Sequence, residues 1–102
     1  MTVKRFWRGW TSNENAERYQ TIFYQEVIPG IEAKKPKGFL GAELLRRDLE
    51  HETEFMSILV FESMQNIIDL LGENYLDCYV PEAAKQVLSS WDEKARHYQT
   101  TP

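Results

Sequence analysis

Bulky side chains occupy both parities of Val3–Thr11: Phe6, Arg8 and Trp10 share one, Arg5, Trp7 and Gly9 the other. Successive strand residues point to opposite faces, so a strand here presents large apolar surface on both and belongs in the middle of a covered sheet. Thr53–Phe61 repeats the pattern, with Phe55, Ser57, Leu59 and Phe61 alternating with Met56, Ile58 and Val60. Phe39–Asp48 is less decided. Its Ala42–Arg47 run suits a helix, but Gly38 and Gly41 do not, and Asp48–Glu52 reads as a short connection into the next strand. It is predicted as the second strand of a hairpin. Lys94–Gln99 is predicted as the last strand.

Helical spacing dominates elsewhere. Ala16, Tyr19, Ile22, Phe23 and Val27 follow Thr11-Ser12-Asn13-Glu14, which fits a capping box with Thr11 as the cap. Pro29-Gly30 is expected to loosen or end this helix, with room for a further turn over Ile31–Ala33 before the basic loop Lys34–Gly38. Ser63 caps a second helix, Met64–Leu71, which Gly72 stops. Asn74–Val80 reads as an irregular link. A short helix begins with Pro81 at its first position and runs to Leu88, and Trp91-Asp92 is the turn out of it.

The order is βαββαβ with an extra short helix, which favours a ferredoxin-like α+β fold. In that topology the first and third strands are central, the antiparallel sheet carries helices on one face, and the other face is bare. A soluble monomer rarely leaves so much contiguous apolar surface open, so a homodimer that closes two bare faces together is expected.

Composition adds mainly exclusions. The chain of 102 residues is 42% hydrophobic and 27% charged, as expected for one globular domain over 1–102. A net charge of −4 argues against nucleic acid as a partner. No apolar run reaches membrane-spanning length, and residues 1–5 lead into no signal-peptide core, so a soluble cytoplasmic protein without membrane association is expected. Cys78 is the only cysteine, so no internal disulfide can form. It has no basic partner placed beside it by sequence and reads as an inert thiol. The two histidines, His51 and His97, show no metal-ligand spacing, and no glycine-rich phosphate loop precedes a helix. Neither a metal nor a cofactor is expected.

The chain resembles the antibiotic-biosynthesis monooxygenase-like family of the dimeric α/β-barrel superfamily. The resemblance rests on Arg5-Phe6-Trp7-Arg8-Gly9, Asn15-Ala16 with Tyr19, Pro29-Gly30-Ile31, Gly38-Phe39 with Gly41, and Leu44-Leu45-Arg46-Arg47. It continues through Glu54-Phe55, Phe61-Glu62-Ser63, Gly72-Glu73, Val80-Pro81 and His97-Tyr98. It implies a homodimer whose sheets form a barrel, with a cavity between sheet and helices in each subunit. It also implies cofactor-independent oxygenation of aromatic compounds. The haem-degrading branch is disfavoured, because its asparagine, tryptophan and histidine positions fall near Phe6, Leu70 and Val80.

With that resemblance, Arg8 and His97 become the candidate catalytic residues, polarising or deprotonating a small apolar or aromatic ligand. Trp7, Tyr19, Phe23 and Phe61 become the candidate substrate-binding wall. Each has a structural alternative. His97 also suits a hydrogen-bonded place at a sheet edge, and the aromatics suit a plain core. Arg5 and Arg8 also suit salt bridges to Glu43, Glu54, Glu62 or another acid. Of Arg46 and Arg47, one is expected in solvent and one in a charge pair. A non-catalytic binding or dimerisation module of the same fold is the alternative function.

Overall fold

The computed structural model describes residues 2–102. Five strand segments form one sheet: β1 (Val3–Thr11), β2 (Phe39–Asp48), β3 (Thr53–Phe61) and a last strand in two pieces, β4 (Leu88–Trp91) and β5 (Arg96–Gln99). All ladders are antiparallel, β2 pairs with β3, β3 with β1, and both β4 and β5 lie along the free side of β1. The fold is α+β and ferredoxin-like, and β1 and β3 are its central strands.

Parity assigns the two faces. Val3, Arg5, Trp7 and Thr11 on β1, with Phe55, Ser57, Leu59 and Phe61 on β3, turn toward the helices. Tyr19, Phe23, Ala84 and Val87 pack against Phe55 in one core cluster, and Ile67 packs against Val3 and Phe61 in a second. Phe55, Phe61 and Ile67 are fully buried, and each contributes about 1.5–3 kcal/mol of transfer free energy. The opposite face carries Phe6, Arg8 and Trp10 beside Met56, Ile58 and Val60, and neither core cluster includes them.

Three local features differ from expectation. The first helix does not end at Pro29-Gly30. It runs as α1 (Ala16–Ile22), a π turn (Phe23–Val27) and α2 (Ile28–Ala33). A proline ring in a helix strikes the carbonyl four residues back and cannot donate a hydrogen bond of its own. The π turn, closed by the Ile28 N–H on the Phe23 carbonyl, widens the helix just where that clash would fall, so Pro29 enters as part of the first turn of α2.

The cap also shifts by one residue. Ser12 accepts from the Asn15 N–H at 3.2 Å, whereas Thr11 remains in β1 and its hydroxyl donates to the Val87 carbonyl. Third, Leu88–Trp91 is a strand and not the end of a helix. The short α4 (Glu82–Val87) stops because the open edge of β1, at Gly9, Trp10 and Thr11, offers ladder partners to Trp91, Ser90 and Leu88. The last strand breaks at Asp92, whose carboxylate accepts the Arg8 N–H at 3.1 Å while its own N–H donates to the Arg8 carbonyl at 2.9 Å. Both backbone groups of Arg8 are thereby satisfied, and the chain loops out before re-pairing as β5. The remaining helix, α3 (Met64–Leu71), follows Ser63, whose side chain forms a reciprocal box with Asn66.

Arg46 and Arg47 are both ion-paired, correcting the expectation that one is free: Arg46 meets Glu17 at 2.7 Å and Asp48 at 2.9 Å, and Arg47 meets Glu54 at 2.6 Å. These pairs are near the surface and worth about 0–1 kcal/mol each.

Candidate functional site

A cavity of about 590 Å³ lies between the helix-facing side of the sheet and the helices. Its position follows from side-chain size. Ser57 is the small residue in an otherwise bulky row on β3, and it stands opposite Trp7 on β1, so the middle of the sheet is lower there than at Phe55 or Phe61. The π turn contributes Phe23, Glu26 and Val27 to the facing wall. The irregular link Asn74–Val80 closes one side, and the exposed Tyr79, Glu26 and Lys34 form an open rim.

Trp7, Tyr19, Phe23 and Phe61 all line this cavity. The Trp7 and Tyr19 rings lie 6.5 Å apart, tilted by 34°, and Trp7 Nε1 donates to the Asp92 carbonyl at 2.8 Å, which fixes the indole plane. Tyr19 is 2% exposed, and among the described residues its hydroxyl makes no hydrogen bond. Burial raises the Tyr19 pKa well above that of a free phenol, so the group is held as a donor. The Ser57 hydroxyl likewise has no side-chain hydrogen bond among the described residues.

The two candidate catalytic residues are not brought together. Arg8 lies on the bare face, where its Nε bonds the Asp92 carboxylate at 3.0 Å and its guanidinium sits 5.3 Å from the Trp10 ring centroid. The hydrogen bond to Asp92 is the main cause of its raised pKa. The acid that pairs with Arg8 is therefore Asp92 and none of the three glutamates named from sequence. His97 is on β5 opposite Arg5, beside the cavity and not among the residues lining it.

Arg5 occupies the place at the cavity that sequence reasoning gave to Arg8. It is 7% exposed, and its side chain reaches the carbonyls of Tyr75 and Asp77, the latter at 3.1 Å from Nη2, and His97 Nε2 at 2.9 Å from Nη1. The salt bridge expected for Arg5 is absent among the described residues. Glu43 and Glu54 sit in register with Ile58 and Trp10 on the far face, out of its reach. Burial lowers the Arg5 pKa. Because a guanidinium can only donate, His97 Nε2 accepts, which makes His97 neutral with its proton on Nδ1. Desolvation, then the charge of Arg5, lowers the His97 pKa. The sequence held the signal for this exchange. Arg5 shares parity with Trp7 and Arg8 with Trp10, so choosing the helix-covered face chooses the arginine.

Cys78 also lines the cavity; burial is the first cause of its raised thiol pKa, which keeps it protonated. Among the described residues no three His, Cys, Asp or Glu side chains converge as a metal-ligand set, and no helix is long and apolar enough to cross a membrane.

No family model and no curated protein sequence matches the chain. Solved structures do. A Bacillus cereus structure assigned as an antibiotic biosynthesis monooxygenase superposes with a TM-score of 0.69 at 14% identity, over 100% of this chain and 93% of that one. SnoaB, a cofactor-independent oxygenase from Streptomyces nogalater, matches with a TM-score of 0.63 at 15% identity, over 99% and 94% of the two chains. A de novo designed protein, Foldit4, also matches, with a TM-score of 0.59 at 14% identity over 99% of this chain and all of its own length. Likeness at such identities speaks to architecture and not to chemistry. The chain has the monooxygenase-like ferredoxin fold of the antibiotic biosynthesis monooxygenase structures.

Proposed function

We propose that the protein is a cofactor-independent monooxygenase acting as a homodimer on a small, flat, apolar or aromatic substrate. The observation that carries this reading is the cavity itself: about 590 Å³, walled by Trp7, Tyr19, Phe23 and Phe61, where a filled core would otherwise stand. In this chemistry the substrate supplies the electrons. An activated C–H loses its proton to give an enolate, the enolate reduces O2, one oxygen becomes a new carbonyl and the other leaves as water.

The chain's part is to bind the ring, exclude water and stabilise the oxyanion. Tyr19 and Ser57 offer hydroxyl donors to that oxygen in a low-dielectric pocket, where such bonds are strongest. His97 acts at one remove, by holding Arg5. One observation favours the second reading, a binding module without turnover: no imidazole nitrogen with a free lone pair lines the cavity to take the proton.

Anthrone tests the choice, since it reacts with O2 to give anthraquinone and water. With an oxygen electrode, the wild-type protein is expected to accelerate uptake at one O2 per anthrone, and Tyr19→Phe to lower the rate by about a hundredfold. Anthrone that binds without any rate increase sinks the oxygenase reading and leaves the binding module.

A further inference from the structure

We propose that the ligand of this cavity is an aromatic carboxylate, with Arg5 as the seat of the carboxylate and the ring lying against Trp7 and Tyr19. The inference deepens the reading above by naming the substrate class, and it stands on the state of Arg5. A buried guanidinium ordinarily has a carboxylate partner, because an uncompensated charge in low dielectric is costly. Arg5 has none among the described residues, only two carbonyls and a neutral imidazole.

Of its five N–H donors, three are engaged: two on Nη1 and one on Nη2. The Nε–H and the second Nη2–H have no acceptor among the described residues, and they belong to neighbouring atoms along one edge of the group. Such an edge grips a carboxylate with two hydrogen bonds. The other charges around the cavity do not occupy it. Asp77 gives its carboxylate to Lys94, and Glu26 and Lys34 are exposed at the rim. One buried cation matches one negative charge, which favours a carboxylate over a dianionic phosphate.

Spacing agrees. Arg5 and Trp7 are two residues apart on one face of β1, about 7 Å along the strand. An aromatic acid held at Arg5 therefore lays its ring over Trp7 and the low floor at Ser57. The carboxylate end then faces the Asn74–Val80 link, and the reacting end lies toward Tyr19.

The probes are 2-naphthoate and its neutral counterpart 2-naphthamide, titrated calorimetrically into the wild-type protein, Arg5→Lys and Arg5→Met. Naphthoate is expected to bind the wild type at least tenfold tighter than naphthamide. The preference is expected to shrink in Arg5→Lys and to vanish in Arg5→Met. Arg5 also ties down the link through Tyr75 and Asp77, so Arg5→Met can lose both ligands by unfolding. The wild-type protein supplies the independent readout: the Arg5 Nε–H resonance is expected to shift with naphthoate and to stay in place with naphthamide. Equal affinities in the wild type, no naphthoate binding, an unmoved resonance, or a preference that survives in a folded Arg5→Met each overturn the proposal. Naphthoate has no enolisable C–H, so its binding is independent of turnover. Selective binding with inert anthrone retains the seat and removes the oxygenase, and the reverse result does the opposite.

Discussion

His97 Nε2 lies 2.9 Å from Arg5 Nη1, and this contact persists only while the imidazole is neutral. Desolvation and the Arg5 charge lower the His97 pKa from its ordinary 6.5. The unfolded chain therefore takes up a proton near pH 6.5 that the folded chain still refuses. Stability from this site is fully present above pH 6.5 and is lost as pH falls from there through the lower folded value. His97→Gln retains an acceptor for Arg5 but cannot titrate. Urea midpoints at pH 7.5 and 5.5 are expected to fall less in His97→Gln than in the wild type, and an equal fall in both would remove the coupling. The sequence marked His97 as a candidate because of its residue type. It could not show that Nε2 is already engaged, since the contact joins positions 92 residues apart and depends on the register of β5 against β1.

Among the elements, β1, β2, β3 and α3 have the same bounds that alternation, helical spacing, Ser63 and Gly72 predict. Those segments are legible because local preference and tertiary environment agree. Where they conflict, the environment prevails: α4 gives way to β4 because β1 has a free edge, and the π turn lets a helix continue through Pro29. Two glycines show the same contrast energetically. Gly38 has φ of +77°, and a methyl group there would run into the Asn66 side chain, which also closes the capping box of α3. Gly38→Ala is expected to destabilise the fold by about 1–3 kcal/mol. Gly30 lies inside α2, where an added methyl group meets nothing within 4 Å. Gly30→Ala is expected to stabilise by about 0.4–1 kcal/mol, chiefly by restricting the unfolded chain. Chemical denaturation of the two variants reads both signs, and a destabilised Gly30→Ala would contradict the helical assignment through Pro29-Gly30.

At the scale of the molecule, one strand serves two faces with different demands. The front of β1 presents Arg5 and Trp7 to the cavity; the back presents Phe6 and Trp10 beside Met56, Leu45 and the exposed Tyr98, with Arg8 held between Asp92 and the Trp10 ring. Leu45 is 43% exposed and Tyr98 57%, and the Phe6 and Tyr98 rings meet edge to face at 5.2 Å, so the apolar surface extends from β2 to β5 without a helix to cover it. The same pattern underlies the proposed homodimer, and the choice of variant makes it testable. Leu45→Asp adds a carboxylate where the lone chain is already solvated, so a monomer should tolerate it within about 0.5 kcal/mol. In a dimer closed through this face the same carboxylate is buried in the interface without a partner, at a cost of several kcal/mol. Sedimentation equilibrium is expected to give twice the 12.0 kDa chain mass for the wild type and the single-chain mass for Leu45→Asp, with unchanged circular dichroism. A wild-type protein that sediments at the chain mass at micromolar concentration would dispose of the homodimer. The cavity would then have to be complete within one chain, because every residue so far named in its wall belongs to one copy.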